Sequence, residues 1–150
     1  MRTSRVKIVL ANSTSSQYEF LRTAAEQDSR FRRILDYVES FLKALSNDPY
    51  ARIGRHHHQL THSGLRKGSY ACGFPLQGSD ADLSSFRFSY YVFPVKSGTF
   101  LGAVPYFVQD HLSASDIIDY DYVVFVQDLF YDYHDVSKDS ERLHNRDSVL

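Results

Sequence analysis

The sequence predicts an α+β fold in which two N-terminal helices pack on one twisted antiparallel β-sheet. Three observations lead there. A short β-branched run, Val6-Lys7-Ile8-Val9-Leu10, opens the chain. Two helical periodicities follow it. After Gly68 the period changes to the alternation of aromatic strands, and helices followed by a run of strands is the order of an α+β domain.

The elements can be justified in order. Val6 to Leu10 reads as a strand ended by Ala11-Asn12-Ser13. Ser16 followed three residues later by Glu19 fits a capping box, with Tyr18, Leu21 and Ala25 sharing a face to about Gln27. Asp28-Ser29 breaks that helix and can cap the next, in which Phe31, Ile34, Leu35, Val38, Phe41, Leu42 and Leu45 recur at helical spacing. Asn47-Asp48-Pro49 stops it, because a residue before proline is pushed out of helical geometry. Residues 50–68 are polar and basic, with Gly54 and Gly64, and suggest no regular element.

Strands are then expected at Ser69 to Phe74, at Ser85 to Phe93 and, beyond a Lys96-Ser97-Gly98 turn, at Thr99 to Val108. Pro105 makes the last of these an edge or a broken strand. Ser113-Ala114-Ser115-Asp116 reads as a helix cap or a single turn, and Tyr122 to Phe130 as a further strand. A single domain over residues 1–134 is expected, with an extension from about 112 and a polar tail at 135–150.

With 150 residues and 43% hydrophobic composition, the chain can bury a substantial core. No apolar run approaches the roughly 18 residues of a membrane span, and the apolar stretch behind Arg2, Arg5 and Lys7 is too short for a signal peptide, so a cytoplasmic protein without membrane contact is expected. The lone Cys72 excludes an intramolecular disulfide and reads as a small buried hydrophobe. Net charge is -1, yet residues 1–68 carry 12 Lys/Arg against 6 Asp/Glu and residues 69–150 carry 5 against 12. That asymmetry fits a basic, phosphate-binding face from the first part and an acidic region from the last.

Alternation along Ser85-Phe86-Arg87-Phe88-Ser89-Tyr90-Tyr91-Val92-Phe93 puts Phe86, Phe88, Tyr90 and Val92 against the helices. Arg87, Ser89 and Tyr91 then line the opposite, open face. A cation in the middle of an aromatic strand must meet water or an anion. A guanidinium there can grip a phosphate bidentately, and a tyrosine beside it can stack on a base. An ion pair between Arg87 and the acidic C-terminal region is the competing reading.

The basic stretch before the strands holds Arg52, Arg55, His56, His57, His58, His62, Arg66 and Lys67. His56 and His58 could share a metal ion on an extended segment, but no Cys or nearby carboxylate completes a site, so no metal and no cofactor is expected. The simpler reading makes the stretch a solvated or phosphate-binding surface, with Arg52, Arg55 and Arg66 as phosphate contacts. Acidic residues interleaved with tyrosine, Asp116 to Tyr122 and on to Asp135, could instead bind a basic partner or cover the chain's own basic face.

The order strand, helix, helix, Leu65-Arg66-Lys67-Gly68-Ser69-Tyr70, then Phe86-Arg87-Phe88-Ser89-Tyr90-Tyr91 and a hydrophobic strand resembles the RelE/ParE superfamily of toxins of type II toxin-antitoxin systems over roughly residues 5–110. The resemblance implies a helical pair on a twisted antiparallel sheet with an arginine-bearing central strand. It also implies an antitoxin partner and a ribosome-dependent mRNA endonuclease, or, in another branch, a gyrase poison. Carried onto this chain, Arg87 matches the arginine that steadies the scissile phosphate, and Lys67 and Arg66 match the basic residues ahead of the first central strand. The family's later basic position leaves His111 as its candidate. RNA cleavage needs a base, electrostatic stabilisation of the pentavalent phosphate and an acid. His111, Tyr91 and Arg87, assisted by Lys67, are the expected catalytic set, with Ser89 as a further RNA contact. A non-catalytic protein-interaction module on the same fold is the alternative.

Overall fold

In a computed structural model, which describes residues 4–61, 68–76, 78, 83–95, 106–113, 115 and 119–132, the α2 helix carries the principal apolar stripe onto the sheet. The element order is β1 (Val6–Leu10), α1 (Asn12–Ala25), α2 (Ser29–Asn47), β2 (Arg55–Gln59), β3 (Tyr70–Gly73), β4 (Phe86–Pro94), α3 (Tyr106–Gln109) and β5 (Tyr122–Asp132). The strands form one sheet in the order β1-β5-β4-β3-β2. This is the α+β arrangement the sequence predicts, with one correction: β1 runs parallel to β5, while the other pairings are antiparallel. Parallel neighbours need a long crossover, and everything between Leu10 and Tyr122 supplies it.

The α2 stripe buries Ile34, Leu35, Val38, Phe41 and Leu45. It meets Cys72, Phe74, Phe88, Tyr90, Val124, Val126 and Leu129 from the sheet. Phe41 is the hub, with its ring 5.6 Å from Phe74 and 5.4 Å from Phe88. Each such ring removed from water contributes about 1.5–3 kcal/mol. The predicted cap is also present, since the Asp28 side chain accepts from Arg30 N at 2.9 Å.

Helix α1 starts at Asn12, four residues before the expected capping box, and its N-cap residue Ala11 offers no side-chain bond. Its start is set by the sheet instead: Ala11 N donates to Val126 O, and Thr14 Oγ1 donates to the carbonyls of Val126 and Gln127. Those carbonyls lie where β5 bulges. Partner sums along β4 and β5 shift between Arg87 and Ser89 and again between Ser89 and Tyr90, so β5 holds extra residues there. Side chains of α1 complete the bonding that the bulge leaves open, including Leu129 N donating to Gln17 Oε1 at 2.8 Å.

Two further expectations change. Residues 55–59 form an edge strand where no element was predicted. The strand expected over Thr99 to Val108 is not formed at its end, where Tyr106–Gln109 is a short helix; residues 99–105 lie outside the described residues. So do 135–150 and, of the expected turn at 113–116, residues 114 and 116. Val108, Val9, Val95, Val123 and Phe125 form a second small core on the sheet face away from α1 and α2. Strand β5, which begins beyond residue 112 where an extension was expected, lies between β1 and β4 in the sheet.

Candidate nucleic-acid interface

Alternation along β4 is as predicted. Phe88 and Tyr90 are buried against the helices, while Tyr91 and Phe93 pack into the second core on the opposite face. Arg87 has the parity of that opposite face, and its register partners are Gly73 on β3 and Tyr131 on β5. Gly73 in turn pairs with Arg55 on β2. Arg55, Gly73, Arg87 and Tyr131 thus form one row across four strands. The two arginine backbones stand two strand spacings apart, about 10 Å.

Glycine at position 73 is what lets Arg87 lie where it does. A Cβ there would stand 3.3 Å from Arg87 Nη1 and 3.6 Å from Cζ, so the guanidinium lies over the bare backbone. Arg87 Nη1 donates to Ser84 O at 2.6 Å and Phe86 O at 3.0 Å. These carbonyls orient the half-buried guanidinium on the sheet. Arg55 and Arg52 are exposed.

The other expected residues divide. Ser89 is fully buried and donates to Asp128 Oδ2 at 3.0 Å, so the RNA contact expected of it is withdrawn from solvent. Tyr91 is half-buried, its ring parallel to Phe93 at 5.8 Å. His111 lies with its ring 6.0 Å from Phe125, which is the register partner of Tyr91. The structure therefore brings Arg55 toward Arg87 and His111 toward Tyr91. The two groups are separated by four residues of β4, about 13 Å of strand. Lys67 and Arg66 lie outside the described residues.

A third group was not legible as a site. His57 Nε2 is 2.6 Å from Tyr90 Oη, and its ring lies nearly parallel to Tyr70 at 5.5 Å. Burial, and then the charges of Arg52 and His58, lower the His57 pKa below its usual 6.5. Burial likewise raises the Tyr90 hydroxyl above its usual range. Burial pushes the Cys72 thiol up to about 12, against the opposing pull of Arg87. All three are neutral near pH 7. The signal that could have found this pair was the parity of Tyr90, since a tyrosine turned into the core requires a polar partner. Among the described residues no three His, Cys, Asp or Glu side chains converge on a metal position. His58 Nδ1 lies 2.6 Å from the backbone oxygen of His56.

No family model matches the chain, and no curated protein matches it. Among solved structures it is similar to a YoeB/ParE toxin from Agrobacterium tumefaciens, with a TM-score of 0.45 and 17% sequence identity over 81% of this chain and 93% of that chain. Among the described residues no helix is long and apolar enough to cross a membrane.

Proposed function

We propose that this chain is the toxin of a type II toxin-antitoxin pair and acts as a ribosome-dependent mRNA endonuclease in the cytoplasm, held inactive by an antitoxin. The observation that carries the reading is the Arg87 guanidinium lying over Gly73 in line with Arg55. Two cations at that spacing on one sheet face suit an RNA backbone better than an isolated carboxylate. The sequence resemblance in Phe86-Arg87-Phe88-Ser89-Tyr90-Tyr91 supports the same role for the arginine.

In this reading Arg87 stabilises the charge that builds on the scissile phosphate, and Arg55, Arg52 and Arg66 hold the flanking backbone. The 2′-oxygen attacks phosphorus, its proton passes to His111, and the departing 5′-oxygen takes a proton from Tyr91, with Lys67 adding positive potential. The phosphate grip rests on geometry. The proton-transfer roles follow the resemblance alone, since Tyr91 stands four residues from Arg87 along β4 and His111 lies against Phe125 of the neighbouring strand.

The test is cleavage of a message on purified ribosomes, mapped by primer extension. Wild type should cut and Arg87→Ala, with an unchanged circular dichroism spectrum, should not. Equal cleavage by the two proteins would rule the proposal out.

A further inference from the structure

Strand β2 is short, polar and strained. Its register with β3 slips between Arg55 and His58, and His56 within the slip has a φ of 53°, in the left-handed region that costs a side-chain-bearing residue free energy. What reaches from this strand into the core is His57. Its ring lies against Tyr70, and its Nε2 meets the hydroxyl of Tyr90, a residue only 1% exposed.

That hydrogen bond has a required direction. The phenol hydrogen is shielded from water, and His57 is its hydrogen-bond partner. Only a neutral imidazole protonated on Nδ1 offers a lone pair at Nε2. In that form Tyr90 donates and His57 accepts. If His57 gains a proton, Nε2 becomes a donor, the phenol oxygen accepts, and the phenol hydrogen is left without an acceptor in the core. Among the described residues, the titratable and charged groups on the elements packed around the imidazole are Arg52 ahead of β2, His56 and His58 on it, Tyr70 and Cys72 on β3, and Tyr90 on β4, with Arg55 and Arg87 on the other face of the sheet. Arg52 and His58 oppose a positive charge on the ring. Burial acts in the same sense.

We infer that His57 is a positioning residue under proton control: neutral, it ties β2 to β4 through Tyr90 and keeps Arg55 in line with Arg87, and protonated, it releases the strand and the two arginines lose their alignment. The consequence for RNA rests on the function proposed above, whereas the latch itself does not.

The sign follows from linkage. The latched ring has a lowered pKa and the released ring an ordinary one near 6.5, so the latch is complete above about pH 6.5 and weakens as pH falls toward the latched pKa. The experiment is nitrogen NMR of the imidazoles, with amide exchange and binding of a short single-stranded RNA, on the full chain at fixed salt. In wild type, His57 should be the Nδ1–H tautomer at pH 7. Protection of the amides shared by β2 and β3 should fall by up to about tenfold per pH unit below 6.5. His57→Gln, whose amide oxygen accepts from Tyr90 and does not titrate, should keep protection flat between about pH 6.5 and 5. Tyr90→Phe strands no phenol hydrogen and should move the His57 midpoint upward, a second check if the glutamine variant folds poorly.

A His57 protonated on Nε2 at pH 7, or wild-type protection as flat as that of His57→Gln, overturns the latch. RNA affinity with the same pH course in wild type and His57→Gln overturns the alignment of Arg55 with Arg87. A working latch in a protein that binds no RNA at any pH upholds the latch and removes the RNA reading alone.

Discussion

Replacing Gly73 separates the site from the fold. A Cβ at this position meets Arg87 Nη1 at 3.3 Å, while the nearest backbone atom, Arg55 O, lies 3.6 Å away in ordinary contact. The atom that must give is the far end of a flexible side chain. Gly73→Ala should therefore shift the guanidinium by a few tenths of an ångström, and Gly73→Val, with two more carbons above the strand, should displace it. Stability should change by no more than about 1 kcal/mol, because the entropy gained by removing a strand glycine offsets the loosened bonds from Arg87 to Ser84 and Phe86. Binding should not be spared. A charge-assisted hydrogen bond contributes about 1.5–3 kcal/mol, so Gly73→Val and Arg87→Ala should each weaken RNA binding roughly 10- to 150-fold, with Gly73→Ala between them and wild type. A lost phosphate contact should also flatten the dependence of log affinity on log salt by about 0.7 for a single strand. Thermal unfolding and fluorescence anisotropy at several salt concentrations measure both quantities. A valine variant that folds and binds RNA like wild type, with the same salt slope, would refute the placement of Arg87 on the backbone.

Other consequences are structural. Gly54 has a φ of 65°, and a Cβ there would stand 2.4 Å from the carbonyl oxygen of Gly73 and 2.8 Å from Cys72 Sγ; Gly54→Ala should destabilise the fold by about 2–4 kcal/mol in urea titration, since neither backbone can move cheaply. Ser89→Ala removes one donor to Asp128, which is 4% exposed and also accepts from Gln17 Nε2 at 3.5 Å, and should cost about 1–2 kcal/mol; unchanged stability in urea titration would show that the Ser89 bond contributes nothing. The bonds from Arg30 hold the Asp28 carboxyl near a pKa of about 2. The α2 cap should therefore be fully present above about pH 3.8 and be lost as pH falls toward 2, so that the Tm difference between wild type and Asp28→Ala shrinks over that window. A constant difference would place the cap's contribution elsewhere.

The parts of this fold that were legible were those with a local period. The α2 stripe from Ile34 to Leu45 and the alternation of Phe88 and Tyr90 with Arg87 and Tyr91 were both readable, because each repeats within a few residues what the core requires of it. Strand β2 was not, since its residues are polar and nearly all exposed, and what holds it are partners the local sequence does not show: the ladder to β3 and a contact from His57 to Tyr90, 33 positions away. The start of α1 was misplaced for a similar reason. Thr14 answers to carbonyls on β5 that only the assembled sheet brings near. Of the candidate site, the facing of Arg87 followed from parity. The burial of Ser89 did not, because parity names a face and says nothing of what covers it. The pairing of Arg55 with Gly73 depended on a strand the sequence did not announce.

The most direct measurement of the central claim is a titration of the protein with a short single-stranded RNA, following the arginine side-chain Nε–Hε resonances by NMR. The account predicts that Arg87 and Arg55 shift together and saturate at one RNA concentration, while Arg32 on the exposed side of α2 stays still. Shifts confined to the α2 arginines, with Arg87 unmoved at saturation, would contradict it.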